Sequence, residues 1–204
     1  MTPLRIAPLA AAHDATALEL LDQAFATDPT LAWYLFSEQP GYAQRRRAYL
    51  RIYQELHRAN HLPILAAWQA GQLLGVSYYN LGQRPISPDS LQQAGQAIHE
   101  QCGAPSLQRL ELLIDSFERH LGPADLALIE FIGVARSQQG CGIGGALLAQ
   151  TLADCRQQAC PGVALETGEA RNLALYRRHG FQLSGQLQLP GLQQHYLQQG
   201  WPSA

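Results

Sequence analysis

The sequence predicts an α/β fold on three observations. The chain opens with a strand followed by a helix, its middle sets aliphatic and aromatic runs against helical periodicity, and its last third carries strand, glycine-rich loop, helix and strand in order. With 204 residues, 47% hydrophobic and 15% charged, it can bury a substantial core and is neither disordered nor a polyelectrolyte. The formal net charge of −2 argues against nucleic acid and anionic membrane as partners. All 14 basic residues are Arg and 24 residues are Gln, so neutral amides share the work of solubility.

No apolar run approaches the roughly 20 residues that cross a bilayer, and nothing at the N-terminus combines a basic flank, apolar core and cleavage site. Cys102, Cys141, Cys155 and Cys160 form no C-x-x-C pair, and no His/Cys spacing suits zinc. A cytoplasmic protein with free thiols and no structural metal is expected.

Taken in order, residues 3–9 read as a strand. From about His13 to Phe25, Ala17, Leu18, Leu21, Ala24 and Phe25 recur at helical spacing. Asp28-Pro29 ends that helix, an apolar turn carries Trp33, Tyr34 and Phe36, and a helix follows from about Ala43 to Asn60. Its Arg45, Arg46 and Arg47 read as a solvated face. Pro63–Ala70 and Gln72–Leu81 around Gly71 form an antiparallel hairpin. Residues 82–125 are Gln-rich, punctuated by Pro85, Pro88 and Pro105, and fit a helical insertion with helices at about Asp89–Gln101 and Ser106–His120. After Pro123, ALIEFIGV (Ala127–Val134) is a strand and QGCGIGGALLAQTLADC a loop and helix, stopped by Pro161-Gly162. GVALET (Gly162–Thr167) is a strand, NLALYRRHGF a short helix with Gly180 as its left-handed cap, and two strands, about Phe181–Leu189 and Gln194–Gln199, close the chain.

Gln139, Gly140, Cys141, Gly142, Ile143, Gly144 and Gly145 lie where a strand hands over to a helix. Backbone N–H groups there, with few side chains in the way, make an anion cradle that suits a pyrophosphate. Gly140, Gly142 and Gly145 satisfy the dinucleotide pattern G-x-G-x-x-G, with Glu166 about 20 residues on, where a ribose-binding acid would stand. Five residues separate strand from first glycine, however, and fewer than 40 follow Glu166, too few for a second mononucleotide half. A Walker loop is excluded because the chain has no Lys. Glu130, inside an apolar strand, needs a reason to be there.

The same loop spells Gln139-x-x-Gly142-x-Gly144, which resembles the acyl-coenzyme A loop of the GNAT superfamily of N-acetyltransferases, nearest the puromycin N-acetyltransferase-like branch. Ile132-Gly133-Val134 before the loop, and Asn172, Tyr176, Gly180 and Phe181 after it, agree. The resemblance leaves residues 82–125 unmatched. It implies a mixed, mostly antiparallel sheet of six to seven strands with helices on both faces, the helical insertion between strands 3 and 4, and one acetyltransferase domain over residues 1–204. It implies acetyl-CoA as cosubstrate and a small-molecule amine, an aminoglycoside-like antibiotic or a peptide N-terminus as acceptor, in a monomer or homodimer. Tyr176 is the implied general acid and Glu130 the implied base, with Glu166 or water as alternatives. The backbone of Ile132, Gly133 and Val134 would meet the pantetheine arm where the strand splays, with Gly133 permissive for a bulge. Gln139 to Gly145 would hold the phosphates, and Asn172 would bond the arm or cap its own helix. Glu130 paired with an Arg, and a non-catalytic acyl-CoA sensor, are the competing readings.

Overall fold

Strands and helices fall close to where apolar periodicity puts them in the computed structural model, which describes residues 2–82, 86–121 and 125–201. Pro85 and Pro123 lie outside the described residues. Seven strands, β1 (Arg5–Pro8), β2 (Ile64–Gln69), β3 (Gln72–Asn80), β4 (Ala127–Val134), β5 (Gly162–Thr167), β6 (Gln182–Leu189) and β7 (Leu192–Gly200), form one sheet in the order β1-β2-β3-β4-β5-β7-β6. Only β4 and β5 run parallel; their connection is the helix that follows the glycine loop. The sheet is therefore mixed and mostly antiparallel, and it lacks the successive parallel strands of a dinucleotide-binding half.

The helices are α1 (Asp14–Ala24), α2 (Pro29–Tyr34), α3 (Tyr42–Ala59), α4 (Pro88–Cys102), α5 (Ala104–His120), α6 (Ile143–Gln157) and α7 (Leu173–Arg178). The inserted α4 and α5 stand between β3 and β4, as expected. The segment carrying Trp33 and Tyr34 is a helix rather than a turn. Pro29 fills its first position and Asp28 Oδ1 accepts the Leu31 N–H at 2.9 Å, so cap and proline start a helix that six residues could not nucleate alone.

Residues of α1 to α5 bury one face of the sheet around Leu21, Leu50, Tyr78 and Leu113. The other face is covered by α6 and α7 around Leu147, Leu148, Leu165 and Leu197. Leu147 and Leu148 are fully buried, each contributing about 1.5–3 kcal/mol. Ser77 on β3 and Thr151 on α6 pair their buried hydroxyls at 2.9 Å, which fixes where α6 lies along the sheet. The Arg run of α3 is not a solvated face throughout. Arg45 donates to the carbonyls of Leu35, Phe36 and Pro40, and the buried Arg46 meets Asp22 at 2.8 Å, so two of the three hold α1 and the α2 segment onto α3.

One irregularity in β4 decides what faces where. Tyr78 pairs with Phe131 and Tyr79 with Ile129, leaving Glu130 as the extra residue of a bulge. The bulge is at Glu130, not at Gly133, which pairs regularly with Val76 and leaves no room for a Cβ, 2.7 Å from Leu21 Cδ2. Below the bulge, Ile129 faces α6; above it, Phe131 faces the α1 side. Gly75 holds β3 close to β4: a Cβ there would come within 2.9 Å of the Gly133 carbonyl and of Leu147 Cδ1. Gly75→Ala should therefore cost about 1–3 kcal/mol, read as a lower urea midpoint at unchanged m-value.

Candidate active site

Pairing between β4 and β5 stops after Ala127 with Val163, Leu128 with Ala164 and Ile129 with Leu165. Both strands continue, β4 to Val134 and β5 to Thr167, so the sheet opens between them. Ala135 donates its N–H to Leu74 at 2.9 Å, which sets the alternation along upper β4. Gly133 turns its backbone polar groups toward β3, whereas Ile132 and Val134 turn theirs into the opening. Of the expected trio, Ile132 and Val134 thus present backbone to the gap, and Gly133 serves close packing on α1. The Val134 carbonyl is taken by Gln139 Nε2 at 3.2 Å, so this side chain braces the loop against the strand.

The loop reaches α6 through Gly140 and Gly142, at φ 79° and 83°, a region where a Cβ is strained although nothing crowds the position. The first helical bond runs from the Ala146 N–H to the Gly142 carbonyl. The N–H groups of Ile143, Gly144 and Gly145 therefore precede any partner within the helix and add to its dipole. Gly140, Cys141 and Gly142 are exposed.

Glu130 and Glu166 are the first residues beyond the last β4–β5 pair, on facing strands. A cavity of about 640 Å3 opens beside them, walled by the parted strands and by residues of α2, α3 and α5. It brings together Glu130, Glu166, Ile132, Asn172 and Tyr176 from the sequence reading, and adds Asp28 and Gln194, which no motif had indicated. Asp28 could have been suspected only as a helix cap. Gln194 arrives from the far end of the chain, one of many Gln.

Glu130 pairs with a histidine, not an arginine. Its Oε2 is 2.5 Å from His57 Nε2, and Oε1 accepts from Asn80 Nδ2 at 3.1 Å. His57 is wholly buried and its Nδ1 has no partner among the described residues. The contact suits an Nε2–H donating to the Glu130 carboxylate.

Glu166 differs. Burial of its carboxyl pushes the pKa up to about 7; the Gln194 amide tempers the rise and the Asp28 carboxylate adds to it. The Gln194 approach falls short of a hydrogen bond, so Glu166 Oε2 and Gln194 Nε2 are both buried without one among the described residues. Gln194 Oε1 instead accepts from Thr30 Oγ1 at 2.9 Å. Burial likewise pushes Asp28 up to about 6, against the lowering effect of the Leu31 and Thr30 N–H groups.

Tyr176 projects from α7 through the opening to the cavity. Burial holds its phenol well above its ordinary range, and its ring packs edge-on to Phe181 at 5.9 Å. Asn172 precedes α7 but makes no side-chain cap bond, which removes the capping explanation and leaves it lining the cavity. Among the described residues no His/Cys/Asp/Glu group could hold a metal ion, and no helix is long and apolar enough to cross a membrane.

Solved structures share this architecture over nearly their full length. One is a histone acetyltransferase HPA2 and related acetyltransferase from Corynebacterium glutamicum (21% identity, TM-score 0.74, covering 100% of this chain and 99% of that one). Another is the ribosomal-protein-S18-alanine N-acetyltransferase of Escherichia coli (12% identity, TM-score 0.61, 99% and 96%). A third is a GNAT family acetyltransferase from Brucella melitensis in complex with acetyl-CoA (15% identity, TM-score 0.56, 100% and 91%). At these identities they establish the fold. A search of curated protein sequences finds no match. The sequence profile of the acetyltransferase (GNAT) family matches residues 27–181, which span β2 to β5, the glycine loop, both carboxylates and Tyr176, and the chain belongs to that family.

Proposed function

We propose that the protein transfers acetyl from acetyl-CoA to a primary amine by direct attack in a ternary complex, with Glu166 as general base and Tyr176 as hydrogen-bond donor to the departing sulfur. The observation that carries this is the parting of β4 and β5 at Ile129 and Leu165 into a cavity that holds Glu130, Glu166 and Tyr176. We read the chain as one catalytic domain over residues 1–204, cytoplasmic in keeping with its four free thiols. We place it nearest the puromycin N-acetyltransferase-like branch on IGV, QGCGIGGALL, LET, RNLALY and GF.

The residues present fit acetyl-CoA. Ile132 and the Val134 N–H offer a strand edge to an amide-bearing arm, and the N–H groups of Ile143, Gly144 and Gly145, behind positive-φ Gly140 and Gly142, suit a pyrophosphate. When bound, acetyl-CoA supplies a thioester carbonyl as the electrophile. The chain must then relieve the attacking amine of its proton and stabilise charge on the leaving sulfur.

Glu166 is suited to the first task, with an oxygen free of other bonds and a pKa of about 7 that matches base and working pH. Glu130, with both oxygens engaged by His57 and Asn80, is held beside Glu166, where a carboxylate draws the acceptor's ammonium to the same spot. Tyr176 keeps its proton, because a buried phenol is a weaker acid than a thiol. It therefore donates a hydrogen bond to the developing thiolate rather than surrendering the proton. A non-catalytic sensor would use the cradle and the open strands but would give no role to this carboxylate and phenol, so catalysis is the reading we prefer.

Calorimetric titration is the primary test: acetyl-CoA and CoA should bind and NADH should not, whereas binding of NADH alone would overturn the assignment. Tyr176→Phe should lower kcat by about 10-fold or more with acetyl-CoA affinity unchanged. Glu166→Gln should lower kcat/KM by about 100-fold and remove the rising limb near pH 7 from its pH profile; a retained limb would return the base to Glu130 or water. The same variant has a signature in stability. Between pH 4.5 and about 7 the unfolded chain ionises Glu166 while the folded chain keeps it protonated, so the native protein loses stability as pH rises through that window. In urea titrations Glu166→Gln should therefore match the native protein near pH 4.5 and exceed it at pH 8, by up to about 3 kcal/mol.

A further inference from the structure

We infer that the acceptor is a small aromatic amine without a carboxylate, a ring on a short aminoalkyl chain held in the cavity beside Glu130 and Glu166. This deepens the proposed acetyl transfer and rests on it.

Charge gives the first argument. Asp28, Glu118, Glu130 and Glu166 line the cavity, and among the described residues no Arg or His lines it. Arg109 on α5 is already committed, stacked 4.6 Å from the Trp33 ring and 3.7 Å from the Phe36 ring and donating to the Trp33 carbonyl. An acceptor carboxylate would be desolvated next to like charges with no cation to meet it, whereas an ammonium is welcomed.

The walls give the second. Phe25, Tyr53 and Phe131 form an edge-to-face series, with Phe131 5.5 Å from Phe25 and 5.3 Å from Tyr53, and Tyr49 lies tilted against Tyr53 at 4.9 Å. All four line the cavity, as does Phe117 from α5. Such a surface receives an aryl ring edge-on and adds attraction for the attached cation. At about 640 Å3 the space is of small-molecule size. A peptide N-terminus would bring backbone N–H and C=O groups against Leu31, Leu110 and Leu113, which cannot bond them.

A third observation concerns Gln194, whose amide stands beside Glu166. Gln194 lines the cavity fully buried, its Nε2 without a hydrogen bond among the described residues. That donor stands beside Glu166 without bonding it and is open to one polar substituent on an otherwise apolar ligand.

The experiment measures CoA release with phenethylamine, phenylalanine, spermidine and a tetra-alanine peptide, and acetyl-CoA affinity separately by calorimetry. Phenethylamine should exceed the other three in kcat/KM by at least about 100-fold. Phe117→Ala should raise its KM by about 10-fold with kcat within about two-fold. If phenylalanine, spermidine or the peptide equals phenethylamine, the acceptor class is wrong while acetyl transfer stands. If acetyl-CoA binds and none of the four releases CoA, the aromatic-amine inference fails; if acetyl-CoA does not bind, the acetyl-transfer reading fails and takes this inference with it.

Discussion

Backbone groups in the middle of a sheet are normally bonded on both edges, and β4 and β5 leave theirs open after three pairs. The opening is sustained because each strand is held from its far side, β4 by six pairs to β3 and β5 by six to β7. Gly75 and Gly133 let β3, β4, α1 and α6 approach closely enough to keep that half of the sheet rigid. Everything functional is arranged around this gap. The glycine loop begins where β4 ends, so the first N–H groups of α6 lie at one end of it, and the two carboxylates lie at its apex.

A second constraint is the bulge at Glu130. By adding one residue to β4 it turns both Glu130 and Phe131 toward the face covered by α1 to α5, and a regular strand would have sent one of them into the α6 core. A carboxylate there is tolerable only with partners, and the wholly buried His57 and Asn80 supply them. Glu166 has no such pair, so its burial is expressed as a raised pKa instead. Two glutamates at equivalent levels of neighbouring strands thus have different chemistry because only one of them is supplied with donors.

The elements with strong local signals were legible in the sequence. ALIEFIGV and the hairpin around Gly71 became the strands their apolar runs implied, and α3 and α6 began and ended within a residue or two of their periodic patterns. The glycine loop was legible for a related reason, since a positive φ leaves few residue choices besides glycine. Contacts across long sequence separations were not. Nothing in LIEFIGV says that Glu130 meets His57, 73 residues away, rather than an Arg. The displacement of the bulge from Gly133 to Glu130 is set by register with β3, which a glycine's permissiveness cannot reveal. In the α2 segment Asp28-Pro29 reads as a helix stop followed by a turn, whereas the two residues together make a helix start whose short length is stabilised by burial of Leu31 and Tyr34.

This division between local and distant information follows the division of labour in the molecule. The glycine loop, both carboxylates and Tyr176, on which the proposed acyl-donor binding and proton handling rest, fall within residues 130–176, a nearly continuous stretch in which strand, loop, helix and strand fix one another's positions. The acceptor side of the cavity is assembled from α2, α3 and α5, joined by contacts rather than by adjacent sequence. Its placement depends on Arg45 fastening the α2 segment to α3, on Arg46 fastening α1 to α3, and on the insertion packing α4 on α3 and α5 on α2 and β6. Because α5 supplies Leu113 and Phe117 to the cavity from outside the β4–α6–β5 unit, its cavity face can change shape and polarity while the gap, the bulge and Glu166 stay where the sheet holds them. The motifs of the family therefore gather on the gap side of the cavity, and the insertion that they leave unmatched supplies the α5 wall on the other.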